Sequence, residues 1–414
     1  MPRFTLLFAV CFGCLFVAHL QAADTYVFVE LKGHTDTVSL ALFFPDSKKV
    51  LTASLDKTAR IWDAETGKEL KMLEGDTDGI RTAVFSPDGK RLVTHARDNL
   101  GLPHTSRMWD TESGKEPYKI DTKIDANFWS FLPDGKFYSR NLQKGVSQIW
   151  DTESGKELLT VEGIFPRFSA NGKKLAMNMG LGNDTARVWD VESGKELPRL
   201  QGTFRDFSPD GKKVVVYNNA LLLLDTESGK ELLRLQKKGD VDGYGGFEAF
   251  SPDGKKYATQ SGKGVGAPQD NPTIYLWDAE SGKELQTIEA RFVRFSPDGK
   301  KIVALEPHGD SVFAAFQIWD AESGVKLLTI DRSTRFHGFT PDGKKVVTSG
   351  EKVIRFLDAE SGAELHILEG RLYLYGDIFS PDGKRVVTLQ DNVVRIWDLE
   401  RLPPLPVRPA IVDF

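Results

Sequence analysis

The sequence predicts an all-β protein built from one four-stranded unit repeated along the chain, and three recurring signals predict it. A dyad ending in aspartate returns at Trp62-Asp63, Trp109-Asp110, Trp150-Asp151, Trp189-Asp190, Leu224-Asp225, Trp277-Asp278, Trp319-Asp320, Leu357-Asp358 and Trp397-Asp398, at a mean interval near 42 residues. A phenylalanine followed by a Ser-Pro-Asp-Gly-Lys-like turn keeps the same count, at Phe43, Phe85, Phe131, Phe168, Phe207, Phe250, Phe295, Phe339 and Phe379. Glu-Ser-Gly-Lys-Glu-Leu, or a near variant, follows every dyad except the last.

Each signal has a physical meaning. Proline presets the first turn position, aspartate hydrogen-bonds its own backbone, and glycine supplies the positive φ that closes a hairpin. Glu-Ser-Gly-Lys does the same for a second hairpin. Between the turns lie short runs such as Lys49 to Ser54 and Ala59 to Trp62, which read as strands with one apolar and one polar side. Each unit therefore spells four strands, and no segment has helical periodicity. Such a unit cannot bury a core alone. Arranged radially, each sheet packs a face on the next, which predicts a single β-propeller.

At Gly33-His34-Thr35-Asp36, Phe43-Phe44-Pro45-Asp46 and Asp56-Lys57-Thr58-Ala59-Arg60-Ile61-Trp62-Asp63 the chain resembles the WD40-repeat family, and the resemblance covers about residues 25–398. It implies a WD40-type β-propeller of four-stranded blades, in which each repeat supplies the outer strand of one blade and three inner strands of the next. Nine units give nine blades, with eight as the alternative. The stretch Tyr26 to Leu31 is expected to act as an outer strand and close the ring, because Arg401 to Pro406 is too rich in proline to do so. The family's structural hydrogen-bond set would fall on His34, Thr52 or Ser54, Asp56 and Trp62. Only the first repeat carries that set whole; the second has Asp76 where the histidine should be.

Three regions are expected: a signal peptide at 1–23, the propeller at 24–400, and a proline-rich tail at 401–414. Arg3 precedes an apolar run from Phe4 to Leu20, and Ala22 and Ala23 then lead into a polar start at Asp24, which is the order of a secretory leader cut after Ala22 or Ala23. An uncleaved anchor is the alternative. Both cysteines, Cys11 and Cys14, fall within this leader. The exported chain would hold no disulfide and no thiolate site, and it would be periplasmic or extracellular, without stable membrane insertion.

Composition bears on partners. A formal charge of -5 offers no surplus of cations for phosphate backbones, so nucleic acid is not an expected partner. A protein partner is expected, with the propeller itself monomeric. The Pro-Asp-Gly and Glu-Ser-Gly turns share one end of such a disc and barely vary in length. The other end receives the connections Ala96 to Ser106, Gln236 to Phe247, Ser261 to Pro272 and Glu306 to Ala314, which do vary. Insertions gathered on one end point to a binding face. Candidate binding residues there are Arg97, His104, Tyr244, His308 and Asp310.

Catalytic signals are weak. No histidine stands in a metal-ligand spacing, and no Gly-x-Ser-x-Gly elbow is present. Gly262 to Gly266 resembles a phosphate cradle in composition only. Asp240-Val241-Asp242-Gly243 begins like a calcium loop but lacks the later ligands. The expectation is an extracytoplasmic scaffold or recognition propeller with no catalysis, cofactor or metal. The alternatives are a propeller enzyme (lyase, hydrolase or quinone-type dehydrogenase) at the central channel, and a small-ligand or ion sensor.

Overall fold

Five residues separate Phe43 from Lys49, Phe85 from Arg91, Phe131 from Phe137, and each later pair of first and second strands as far as Phe339 and Lys345. That constancy follows from the turn chemistry. In the second unit Gly89 N–H donates to Ser86 O, Ser86 Oγ–H to Asp88 Oδ1, and the backbone N–H groups of Lys90 and Arg91 to Asp88 Oδ1 and Ser86 Oγ. The same bonds recur around Ser208, Ser251, Ser296, Thr340 and Ser380. The serine, aspartate and glycine of the turn thus bond one another, while the carbonyls of Gly89 and Lys90 accept from Thr111 Oγ1–H and N–H in the adjoining hairpin.

The computed structural model describes residues 28–75, 78–97, 103–117, 126–141, 146–179, 185–235, 247–261, 272–306, 315–330, 335–350, 353–370, 378–390 and 392–402. Among the described residues there are thirty-four strands and no helix. They form nine antiparallel sheets in chain order, seven of four strands and two of three. Sheet 1 comprises Val38–Phe43, Lys49–Ser54, Ala59–Asp63 and Glu69–Leu73, each paired with its neighbour in sequence. Sheet 9 is the exception. Phe28–Leu31 pairs with Val393–Asp398, Phe28 opposite Trp397 and Leu31 opposite Val394, so the first strand in the chain completes the last sheet. The innermost strand position of sheet 9 is held by a single bridge between Phe379 and Val386.

Burial rises toward the inner strands. Lys49–Ser54 is buried from Val50 to Ser54, whereas Glu69–Leu73 buries only Leu73 fully and exposes Leu70 and Met72. Inner strands are packed on both faces by neighbouring sheets, and outer strands meet solvent. Apolar clusters join the sheets in sequence. Leu51, Ile61 and Leu73 of sheet 1 pack with Ile80, Leu92 and Trp109 of sheet 2. Leu132 and Ile149 pack with Leu175 and Trp189, and Phe356 packs with Val386 and Trp397. The first and last sheets share one too, where Leu31, Val387, Val394 and Ile396 meet Val38, Val50 and Trp62. Each large apolar side chain so buried contributes about 1.5–3 kcal/mol, which makes these inter-sheet faces the main source of cohesion.

Polar clamps follow the same path. Lys174 Nζ lies 3.0 Å from Asp190 in its own sheet and 2.5 Å from Glu227 in the next. Arg91 pairs with Asp110 and reaches Glu153 at 3.3 Å, and Lys213 Nζ–H donates to Ala279 O at 3.1 Å. A basic residue at the start of the second strand thus repeatedly ties its sheet to the outer turn of the following one.

Candidate functional site

The two ends of the disc are built on different principles. At one end lie the turns just described, together with the second hairpin of each unit. There the dyad aspartate caps the turn: Asp63 Oδ1 accepts from Thr66 N–H and Oγ–H, and Asp190, Asp225, Asp278, Asp320 and Asp358 accept from the equivalent serines. The turn hydroxyl and the turn N–H hold the carboxyls of Asp63, Asp225 and Asp278 below the usual range. Burial pushes Asp190 up, but Ser193 and Lys174 outweigh it and bring that carboxyl down to about 2. These recurring carboxylates are held as permanent hydrogen-bond acceptors inside turns.

At the other end lie the connections between second and third strands, and their lengths scatter. Two residues separate Gln390 from Val393, three separate Tyr217 from Leu221, ten separate Leu305 from Phe316, and eleven separate Ser261 from Thr273. One expected loop is shorter than the sequence indicated. Arg91–Arg97 and Pro103–Asp110 pair as far out as Ala96 opposite Thr105 and Arg97 opposite Pro103. Arg97 and His104 therefore lie on hairpin strands, because the alternating run Thr94 to Ala96 finds a matching partner in Thr105 to Arg107. Tyr244, His308 and Asp310 lie outside the described residues.

Sheet 1 carries a buried relay at this variable end. Trp62 Nε1–H donates to Thr52 Oγ1 at 2.7 Å, and Thr52 Oγ1 lies 2.7 Å from His34 Nε2. His34 carries its proton on Nδ1, which faces a carboxylate that can only accept, so the unprotonated Nε2 takes the threonine hydroxyl proton. That nitrogen lies 2.8 Å from Asp56 Oδ2. Burial lowers the His34 pKa and keeps the ring neutral. Burial pushes Asp56 up, but bonds from Thr58, His34 and the Thr35 backbone win, and the carboxyl sits at about 2. Of the two hydroxyls open to the sequence reading, Thr52 stands in the relay. Ser54 belongs to the adjoining turn, donating to Asp36 O and accepting from Asp56 N–H, both at 3.0 Å. Position along the strand explains the choice: Thr52 and Ser54 share a face, but Thr52 lies opposite Arg60, one side-chain step from Trp62, whereas Ser54 ends the strand beside the turn. The Trp–Thr part survives without histidine at Trp109–Thr94, Trp277–Thr259 and Trp397–Thr388, at 2.8–2.9 Å.

One feature had no individual signature in the sequence. A cavity of about 980 Å³ lies at the turn end, where sheets 1, 2, 3, 7, 8 and 9 present their innermost strands to a common space. Phe43, Phe85, Phe131, Phe339 and Phe379 line it with the prolines that follow five of the nine repeat phenylalanines. The recurrence of Phe-x-Pro at one place in eight of the nine repeats is the signal that could have found it. Among the described residues no group of three or more histidine, cysteine, aspartate or glutamate side chains could hold a metal ion. None of their helices is long and apolar enough to cross a membrane, since none is helical.

Comparison with known proteins agrees with this architecture. The family model described as "WD domain, G-beta repeat" matches residues 25–63, 67–100 and 375–398, which fall on sheets 1, 2 and 9. No curated protein matches the chain in sequence. A solved structure titled "Crystal structure of the eukaryotic initiation factor" superposes with a TM-score of 0.61, covering 91% of this chain and 93% of that one at 17% identity. Identity that low speaks for the fold alone. With four-stranded antiparallel sheets repeated along the chain, family matches at three positions and a neighbour that spans nearly its full length, the protein carries WD40 repeats and has the fold of a β-propeller.

Proposed function

We propose that this protein is an extracytoplasmic scaffold that binds another protein through the end of the disc carrying the variable connections, without catalysing a reaction. In this reading the nine sheets are nine blades of a ring, closed where Phe28–Leu31 joins the last sheet. The observation that carries it is the contrast between the ends. One end holds turns of constant length braced by their own serine–aspartate hydrogen bonds; the other holds connections of two to eleven residues. A rigid frame displaying unequal loops is the arrangement by which scaffolds acquire partners. WD40 propellers commonly mediate protein–protein contacts, which supports a protein as the partner. The leader-like order of residues 1–23 supports export.

The test pairs location with binding. The protein is recovered from cell fractions and its N-terminus read; a mature start at Ala23 or Asp24 in an exported fraction is expected. Variants with residues 262–271 or 307–314 shortened to four are then used as bait beside the parent chain. Loss of the parent's stoichiometric partner with melting temperature unchanged supports the variable end. Retention of every partner by the doubly shortened variant sinks it.

A further inference from the structure

The apolar cavity lies at the opposite end of the disc from the proposed partner face and is independent of that reading. Its rim is open: Pro45, Pro87, Pro297, Pro341 and Pro381 are exposed, and Thr82 on its wall is exposed as well. A pocket lined by phenylalanine and proline rings, with few polar groups, suits an apolar segment in an extended, proline-rich conformation.

Such a segment leaves the fold beside the rim. Leu402, 7% exposed, packs in the cluster that also contains Trp397, Phe356 and Phe379, and Phe379 is itself part of the cavity wall. The last turn is fastened there, with Leu399 N–H donating to Lys384 O at 2.8 Å, next to the Ser380–Pro381 rim. Residues 403–414 follow, Pro-Pro-Leu-Pro-Val-Arg-Pro-Ala-Ile-Val-Asp-Phe, and lie outside the described residues. Two strand spacings separate the last strand from the innermost one, about 10 Å. Twelve residues in a polyproline conformation span about 37 Å, ample to cross from the rim to the far wall. The tether is short, so its effective concentration at the mouth is on the order of millimolar, and weak apolar contacts suffice to seat it.

We propose that residues 403–414 fold back over the turn end of the disc and occupy the Phe–Pro cavity as an intramolecular plug, which leaves the opposite end as the face for partners. The plug is an extended peptide held by its proline, leucine, valine and isoleucine side chains, and the cavity is a site for that class of peptide.

In a chain with Cys11 and Cys14 changed to serine, Thr82→Cys on the cavity wall is combined with Ala410→Cys on the segment. The control combines Ala410→Cys with Thr35→Cys, exposed at the other end. Mild oxidation is expected to join the first pair within monomers at least about tenfold faster than the second, as proximity dictates. A labelled peptide of residues 403–414 should bind a chain ending at Leu402 and bind the full chain at least about tenfold more weakly, because the site is filled. Equal rates for the two cysteine pairs overturn the proposal, as does equal peptide binding by the two chains. Disulfide-linked dimers from the first pair, rising with concentration, assign the site to a second copy and overturn the intramolecular form. Should the shortened chain fail to fold, the cysteine pairs alone decide.

Discussion

The backbone N–H of Asp382 donates to Ser47 Oγ at 3.1 Å, although 335 residues separate them in sequence. Arg385 Nη1–H adds a bond to Ser47 O at 3.3 Å. Ser47 holds the left-handed turn position, φ 61°, that glycine occupies in the other eight repeats. At seven of those eight positions the glycine lies against the preceding turn; a Cβ on Gly89 would come within 3.1 Å of Pro45 Cδ. At the first turn the side chain is kept, and it is used to bind the last turn to the first.

Replacing Ser47 therefore separates two effects. Ser47→Ala keeps the strained backbone and loses the hydrogen bond, and is expected to lower stability by about 1–2 kcal/mol. Ser47→Gly loses the bond but relieves about 1 kcal/mol of backbone strain, so it should fall close to the parent. Urea unfolding midpoints check the order, glycine above alanine. An alanine variant as stable as the parent would show that the joint does not depend on this bond.

Thr52 is the one hydroxyl that serves both Trp62 and His34. Thr52→Val preserves shape and leaves an indole N–H and an imidazole nitrogen buried without partners, at an expected cost of about 2–4 kcal/mol. Thr52→Ser retains the hydroxyl and should cost under about 1.5 kcal/mol, the scale of one deleted methyl group. A denaturation series reads both. If valine and serine cost the same, the relay contributes only through packing.

Acid should weaken the fold in two stages. Burial, with Arg335 nearby, lowers the pKa of His337 to about 4, and its Nε2 lies 2.6 Å from Ser349 Oγ. A histidine with a folded pKa below its unfolded value contributes stability above the unfolded value, lost as pH falls toward the folded one. His34 acts in the same direction. Stability is thus expected to decline from about pH 6.5 to about pH 4, with Asp56 adding a further loss only as pH drops from about 4 toward 2. His337→Asn should flatten the first decline and leave the second. Thermal melts across that range measure the slopes, and an unchanged first slope in the variant refutes the assignment.

Leu31 tests the joint between first and last sheets. It is 2% exposed in a cluster shared by Val38 and Trp62 on one side and Val394 and Ile396 on the other. Leu31→Asp forces a carboxylate into that cluster and should cost more than about 4 kcal/mol. Leu70→Asp, on an outer strand at 44% exposure, is the matched control and should stay within about 0.5 kcal/mol. Comparable losses at both positions would mean that the joint carries no special weight.

The repeat made most strands legible. Turn residues at fixed offsets bound short alternating runs, and hairpins form from local signals, so Lys49–Ser54 and Ala59–Asp63 could be placed without a structure. Local reading failed where two equivalent residues compete or where pairing extends past a turn-like composition. Thr52 and Ser54 look alike in sequence and share a face of the strand; they differ in how far along it each lies from Trp62. Arg97 and His104 read as loop residues because the segment between them is polar and glycine-containing, yet the strands on either side pair up to its edge.

By itself, then, the sequence determined the unit: four strands, two hairpin turns and the phenylalanine, aspartate and glycine positions that make them, all set by interactions within a few residues. The tertiary structure decided what depends on units meeting. Ser47 becomes a clasp only because the ninth turn arrives beside the first. Leu31 becomes core only because Phe28–Leu31 pairs with Val393–Asp398. The Phe–Pro cavity exists only where six sheets converge. Backbone turns are fixed by local torsions and hydrogen bonds, whereas a shared interface needs partners hundreds of residues apart to be brought together by packing, and no window of sequence contains both sides of it.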